Sequence, residues 1–418
     1  MTFEVNGSRL LQDLKDLAKI GNVGKGGSRL ALSDEDMTTR RWLRDRMTEA
    51  GLVTSIDGIG NVFGYTPRAD RHLLVGSHTD TVPMGGWLDG ALGVMCALEI
   101  ARAFMAAGQP GEVGVAIVSF ADEEGTLASL LGSRLFAGAI RFEDVATATD
   151  PTGRILGEER KRVGLEGVEI ARIDPKRHVG YLEIHIEQGP VLEADGTTIG
   201  IVTDIVGIGR CRVTFHGRAD HAGTTPMNAR ADAAQALYGF ATEFRNFMRR
   251  EGGEGSVFNL GGARIEPGAF NVVADRAELL VEYRNASDAV IDRIEEAIAT
   301  LSREAARDAG VSVTIEPAGR ESPAAMSPSM IEQLARAAQR LQISARTMAS
   351  GAGHDAMSLA SLVPSGMLFI PSIDGRSHAP EEDSKPEDIV AGLRVLAEAV
   401  SGVLEDATKP QPTLKIVP

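Results

Sequence analysis

The sequence predicts an α/β layer protein carrying an inserted α+β domain, and three observations carry that prediction. Near-continuous apolar runs at HLLVGS (72–77), VGVAIVSF (113–120) and YLEIHIE (181–187) read as buried strands. A helical stretch, DGALGVMCALEIARAFMAAG (89–108), lies between the first two, and alternation of strand with helix argues for layers. The chain is also 418 residues long, more than one ordinary core holds, so two domains are the default.

Taken in order, Leu10, Leu11, Leu14, Leu17 and Ile20 sit at helical spacing near the start. Ser33 is placed to cap a second amphipathic helix, SDEDMTTRRWLRDRMTEAGL. The three strands and the helix of residues 89–108 follow. From about 209 to 320 the rhythm changes to strand, helix, two strands, helix, strand: RCRVTFHG, ARADAAQALYGFATEFRNFMRR, SVFNLGGARI, RAELLVEYRN, DAVIDRIEEAIATLSREAARDAG and VSVTIEP. That order is the ferredoxin-like arrangement. The earlier kind of signal then resumes in SMIEQLARAAQRLQ, GMLFIPS and PEDIVAGLRVLAEAVSGVLED. The expected organisation is therefore one discontinuous domain, 1–208 with 321–418, and an inserted domain, 209–320. The tail KPQPTLKIVP is expected to be loose.

Composition narrows the partners. There are 58 acidic and 43 basic residues, a formal net charge of -15, which disfavours nucleic acid and anionic membranes. Two cysteines, Cys96 and Cys211, are too few for a disulfide framework. No apolar stretch is long enough to span a bilayer and the N-terminus lacks a signal-like run, so a cytoplasmic protein acting on small molecules is expected. Two phosphate-loop lookalikes fail: in GNVGKGGS, Lys25 is followed by Gly26 rather than Ser or Thr, and GIGRCR lacks a third glycine.

The chemistry gathers in short stretches. GSHTDTVPMGGWLDGALGV places His78, Asp80 and Asp89 among five glycines. Glycine is kept where a backbone turns sharply or approaches something closely, and imidazole with carboxylate is a ligand set for divalent metals. SFADEEG adds Asp122, Glu123 and Glu124; EIHIEQGP adds His185 and Gln188; GAGHDA adds His354; GRSHAPEED adds His378. Each alone has a bland reading, since a lone strand-end histidine is usually structural and an acidic pair usually a solvated turn. Together they supply what metal-assisted hydrolysis needs. Two adjacent glutamates at a strand end point to opposite sides, so one can bind metal while its neighbour moves a proton. Asp80, two residues after His78, is placed to accept the other imidazole N–H.

These motifs, with LALSDEDMTTRRWL, ADHAGTTPM and PGAFNVV, occur in the order and spacing of the M20 metallohydrolases. The chain resembles in particular the branch of N-carbamoyl-L-amino acid hydrolases, β-ureidopropionases and allantoate amidohydrolases, over nearly its whole length. The resemblance implies a zinc-exopeptidase-like α/β/α catalytic domain with an inserted ferredoxin-like dimerisation lid. It implies two divalent ions per subunit, zinc, manganese or cobalt, bridged by Asp89, with His78 and His185 on one ion and Glu124 and His378 on the other. Glu123 would be the general base and then the acid. His221 would reach the neighbouring subunit's site in a homodimer and stabilise an oxyanion, while Asn271 and Arg284 hold the substrate carboxylate. Gln188 and His354 are further substrate-side candidates. The implied reaction cleaves the ureido C–N bond of N-carbamoyl-L-amino acids to amino acid, ammonia and carbon dioxide. An allantoate or ureidoglycolate activity, or an N-acyl amino acid hydrolase, is the alternative. Trp87, with Met84 and Leu88, is either packing or part of a side-chain pocket.

Overall fold

The computed structural model describes residues 4–24, 26–109 and 111–408, so Lys25 and the tail 409–418 lie outside the described residues. Among its strands, in chain order, are β1 Val53–Ile56, β2 Val62–Tyr65, β3 Arg71–His78, β4 Val113–Phe120, β5 His178–Ile186, β6 Ile199–Ile205, β7 Gly207–His216, β8 Val257–Glu266, β9 Arg276–Asn285, β10 Ser312–Glu321 and β11 Ser365–Ile370. The longer helices are α1 Gly7–Leu17, α2 Asp34–Glu49, α3 Ala91–Ala106, α4 Ala233–Arg250, α5 Asp288–Asp308, α6 Pro328–Arg340 and α7 Pro386–Thr408. The chain divides into two compact units: residues up to Thr203 with those from Ala325 onward, and Asp204–Ala324.

The nine-stranded main sheet runs β6-β11-β5-β3-β4-β2-β1 through these strands, and Ala324–Ala325 and Ala345–Ser350 both pair with β6. Its centre is parallel: β3 pairs with β4 and β5, and β11 with β5, all in the same direction. Strands β2 and β6 add to it antiparallel. The α/β expectation is met, and the apolar runs explain why. β4 is buried at every residue and β3 at all but its first, so both faces need cover. Helices α1, α3, α6 and α7 contribute to one core cluster, including Leu10, Leu14, Leu98, Leu334 and Val400. A second cluster, with Leu32, Met37, Ile59, Leu131 and Leu156, is built from the start of α2, loops and shorter helices. Helix α2 starts as read, with the Ser33 side chain accepting from the Asp36 N–H at 3.1 Å.

The second unit is an antiparallel sheet in the order β8-β9-β7-β10. Helices α4 and α5 bury Phe240, Phe244, Ile291, Ile294 and Ile298 with Val213, Phe215, Leu279 and Val281 of the strands. This is the ferredoxin-like order. The glycines of GIGRCR lie in extended, buried β7, not in a phosphate loop. Among the described residues no helix is long and apolar enough to cross a membrane.

Candidate metal centre

Three parallel strands end side by side, and the loops beyond their carboxyl ends carry the site, as open α/β sheets favour. His78 is the last residue of β3, and the Glu123–Glu124 loop follows β4. His185 is the penultimate residue of β5. Asp89 sits just before α3, and His378 lies between β11 and α7.

Asp89 is the centre of the arrangement. Its Oδ1 lies 3.1 Å from His185 Nε2 and 3.5 Å from His78 Nε2. Its Oδ2 lies 3.2 Å from His378 Nε2, which in turn is 3.3 Å from Glu124 Oε2. The ligand atoms of His78, Asp89 and His185, and separately those of Asp89, Glu124 and His378, all lie within 4.8 Å of one another. One carboxylate thus faces two three-residue clusters, one with each oxygen. The first cluster is buried, whereas His378 is half exposed.

The donors fit divalent ions. His78 Nδ1 hydrogen-bonds the Asp80 carbonyl at 3.0 Å and His185 Nδ1 the Ile186 carbonyl at 2.9 Å. A carbonyl only accepts, so each Nδ1 carries hydrogen and each Nε2 turns its lone pair toward the Asp89 side, where that of His185 also accepts the Gly90 N–H at 3.1 Å. His78 Nε2 and Glu124 Oε1 are buried with no hydrogen-bond partner. Such groups are costly to leave bare. The titration directions agree that the site demands positive charge. Burial opposes protonation of His78, but Glu123, Asp89 and Asp80 push its pKa well above the ordinary value. Asp89 lifts His378 to about 9 against burial.

Local sequence sets these positions. Gly90 caps α3 with φ +61°, and a Cβ there would lie 2.4 Å from three atoms of the His78 ring. Only glycine lets this turn approach His78 so closely. The Asp89 and Leu88 N–H groups donate to Glu382 Oε1 at 2.9 and 3.1 Å, and Ser377 Oγ donates to the other Glu382 oxygen or to Asp89 Oδ2. Glu382 and Ser377 received no role in the sequence reading, although both lie in GRSHAPEED.

Two expectations change. β4 ends at Phe120, so Glu123 and Glu124 stand in a loop rather than on opposite faces of a strand. Asp122, at φ +56°, turns that loop and accepts N–H groups from Thr126, Leu127 and Ala128 at 2.7 to 2.9 Å. The loop still separates the pair, with Glu124 beside His378 and Glu123 Oε2 3.7 Å from His78 Nε2. Asp80 also differs. Its carbonyl, not its carboxylate, takes the His78 N–H; the carboxylate lies 3.9 Å away and accepts from the Glu124 N–H at 3.3 Å. Two residues of strand-end backbone bring the carbonyl closer to Nδ1 than the side chain.

Gln188, at φ +58°, directs Nε2 to Asp89 Oδ2 at 2.9 Å and to Ser377 Oγ at 3.1 Å. His354 is buried, its ring centroid 4.5 Å from that of His185 and its Nε2 3.1 Å from Ser350 Oγ. Trp87 packs against the main core and donates Nε1 to Asp383 at 3.3 Å.

Within the second unit, His221 and Asn271 are neighbours. His221 bridges Val272, and the Asn271 carbonyl accepts the Ala222 N–H at 3.0 Å. His221 is exposed, and its Nδ1 accepts from both Gly223 and Thr224 at 3.1 Å, which leaves hydrogen on Nε2 as a donor. Arg284 stands near the other end of β9 from the Asn271 loop. It is eight residues beyond Arg276, roughly 27 Å along the strand. The sheet therefore does not bring Arg284 beside the other two.

Comparison with known proteins places this geometry. Residues 74–402 match the model of Peptidase family M20/M25/M40. The N-carbamoyl-L-amino-acid amidohydrolase of Rhizobium meliloti is 34% identical over 402 residues, covering 95% of this chain and 96% of that one. The allantoate amidohydrolase of Escherichia coli is 33% identical over 389 residues, covering 91% and 94%. The crystal structure of a hydantoinase/carbamoylase family amidase from Burkholderia phymatum superposes with a TM-score of 0.88 at 40% identity, covering 98% of this chain and all of that one. The matched stretch contains all five residues of the two clusters, and the chain belongs to Peptidase family M20/M25/M40.

Proposed function

We propose that the protein is a two-ion amidohydrolase that cleaves the carbamoyl C–N bond of N-carbamoyl-L-amino acids. The observation that carries the reading is the single carboxylate, Asp89, facing two ligand clusters with Glu123 beside one of them. Full-length similarity to N-carbamoyl-L-amino-acid amidohydrolases supports the substrate class.

A ureido carbonyl is a poor electrophile because two nitrogens donate into it. Divalent ions held by His78, Asp89 and His185 and by Asp89, Glu124 and His378 would polarise that carbonyl and acidify a water. Glu123 accepts the proton of the attacking water and returns it to the departing nitrogen, as a buried carboxylate at the edge of the site can. Gln188, at Asp89 and Ser377, fixes the rim on which the substrate sits. His354 packs against His185 and keeps that ring in place.

The subunit arrangement is part of the same proposal. His221 supplies an Nε2–H donor for the oxyanion in the partner subunit's site of a homodimer, with Asn271 beside it; because β9 sets Arg284 roughly 27 Å along the strand from that end, Asn271 and Arg284 hold one substrate carboxylate from different subunits. Mixing Glu123→Gln chains with His221→Ala chains tests this. Each homodimer is inactive, and exchange of subunits restores activity because one mixed site has both groups intact. No recovery in verified mixed dimers sinks the cross-subunit role.

The substrate test is ammonia release from N-carbamoyl-L-amino acids, allantoate and ureidoglycolate, with free amino acid assayed for N-acetyl compounds. Chelator-stripped enzyme is compared with enzyme given zinc, manganese or cobalt. Ion-dependent turnover of a carbamoyl amino acid is the expected result. Preference for allantoate, which the similarity to the Escherichia coli enzyme favours as the second reading, reassigns the substrate and leaves the site chemistry intact.

A further inference from the structure

Behind the ligand clusters lies a fully buried guanidinium that the mechanism above does not use. Arg40, on α2, is wholly buried together with Asp36 and Asp80. Its Nε donates to Asp36 Oδ2 at 2.8 Å, and that same oxygen accepts the Leu32 N–H at 2.8 Å. Its Nη1 donates to the Gly60 carbonyl at 2.8 Å and reaches the Phe120 carbonyl at 3.4 Å. Its Nη2 faces Asp80 Oδ1 at 3.8 Å. Neither of those last two atoms has a hydrogen-bond partner, and both are buried. Asp36 is the near countercharge of Arg40, and Asp80, whose Oδ1 also lies 3.9 Å from His78 Nδ1, is the second carboxylate, toward which its remaining donor is directed.

These contacts connect two ligand-bearing loops. Phe120 ends the strand that leads into Glu123 and Glu124. Asp80 follows His78, gives its carbonyl to His78 Nδ1 and accepts the Glu124 N–H. We propose that Arg40 is a positioning residue of the metal centre: by holding the Phe120 carbonyl and the Asp80 carboxylate at once, it sets the spacing between His78 and the Glu123–Glu124 loop. A planar guanidinium with donors in three directions can serve Asp36, the β4 end and Asp80 together, which a single ammonium cannot. The inference rests on the two-cluster metal reading and extends it outward by one layer. It concerns ion affinity rather than substrate choice.

The test measures Co2+ dissociation constants by chelator competition, with circular dichroism to verify folding. Arg40→Lys keeps charge but not the fork, and is expected to weaken Co2+ at least about ten-fold, the lower range for residues that orient ligands. Because removing one member of a buried pair endangers folding, the double variant Asp36→Asn/Arg40→Met removes both charges and is expected to show the same loss. A purely structural role moves thermal stability and leaves ion affinity at the parent value. The double-mutant cycle decides whether the effect passes through Asp80: in an Asp80→Asn background, Arg40→Lys is expected to cost no further affinity. Parent-like affinity in both folded Arg40 variants, or additive losses in the cycle, overturns the proposal. A parent chain that binds no Co2+ overturns the metal reading and this inference with it; a parent that binds while the folded variants match it overturns this inference alone.

Discussion

Gly90 lies against the imidazole of His78 so closely that a methyl group on it would sit 2.4 Å from Cδ2, Cε1 and Nε2. The contact is with ring atoms that include the metal-facing nitrogen, so crowding here displaces a proposed ligand directly. Gly90→Ala is therefore expected to lower ion affinity of the buried cluster and to destabilise the chain. Gly108→Ala is the matched control: that glycine also has positive φ, +82°, but nothing lies within 4 Å of its missing Cβ. It should cost only the backbone penalty of about 1–2 kcal/mol for a left-handed residue. Metal content and thermal unfolding of the two variants separate the effects, and equal ion affinity in both would show that the crowding is relieved without moving His78.

Glu123→Gln tests the proton-moving role. The substitution keeps size and hydrogen-bonding reach but removes the acceptor of a proton. Turnover is expected to fall about 10²–10⁴-fold, the usual contribution of a positioned acid or base. Bound metal should remain, since Glu123 lies outside both three-residue clusters. Loss of metal in parallel with turnover would recast Glu123 as a ligand.

Much of this architecture was legible because its strands and helices bury apolar faces. β4 and β9 form over the residues their hydrophobic patterns indicate, Val113–Phe120 and Arg276–Asn285. The hairpin of β1 and β2 was not anticipated. β1, VTSI, alternates exposed and half-buried residues with little apolar signal. Its turn is made by Asp57, whose Oδ1 collects the N–H groups of Ile59, Gly60 and Asn61 at 2.9 to 3.0 Å, an Asx-type signal present in DGIGN. At the site, motifs pointed to the ligand set but not to what holds it. Glu382, Ser377 and Arg40 act through contacts separated by tens to hundreds of residues, so no local spacing reveals them. Glu183, a further buried carboxyl on β5, is hidden for the same reason. Glu183 accepts from Ser77 at 2.7 Å, from Tyr181 and from the Ala356 N–H, both at 3.1 Å.

His178 gives a stability prediction away from the metals. It is buried, accepts the Asp174 N–H on Nδ1 at 3.0 Å, and pairs its Nε2 with the Tyr65 hydroxyl at 3.2 Å. Burial first, then the charges of Arg177 and His72, lower its pKa to about 4. The unfolded chain, near 6.5, binds the proton more readily, so this residue's contribution is full above about pH 6.5 and drains away as pH falls toward 4. Between pH 7.5 and 5 the parent should lose about 2 kcal/mol more than His178→Asn, which retains an acceptor but does not titrate. Denaturant unfolding of both proteins at the two pH values checks this. Parallel losses would mean that His178 titrates normally.

Metal stoichiometry distinguishes a shared carboxylate from two independent clusters. Asp89 serves both groups, one through each oxygen, whereas His378 belongs only to the more exposed one. His378→Ala is thus expected to reduce two equivalents to about one, because the buried cluster of His78, Asp89 and His185 keeps its full set. His185→Ala should remove the other equivalent. Asp89→Ala should bring both toward zero, a loss larger than either histidine variant produces. Elemental analysis after dialysis reads the counts, and thermal shifts on re-adding zinc or cobalt read the linked stabilisation, which scales with occupancy over the dissociation constant. If Asp89→Ala still binds one equivalent tightly, its second oxygen is not needed by one of the clusters. The bridging reading then gives way to two separate sites.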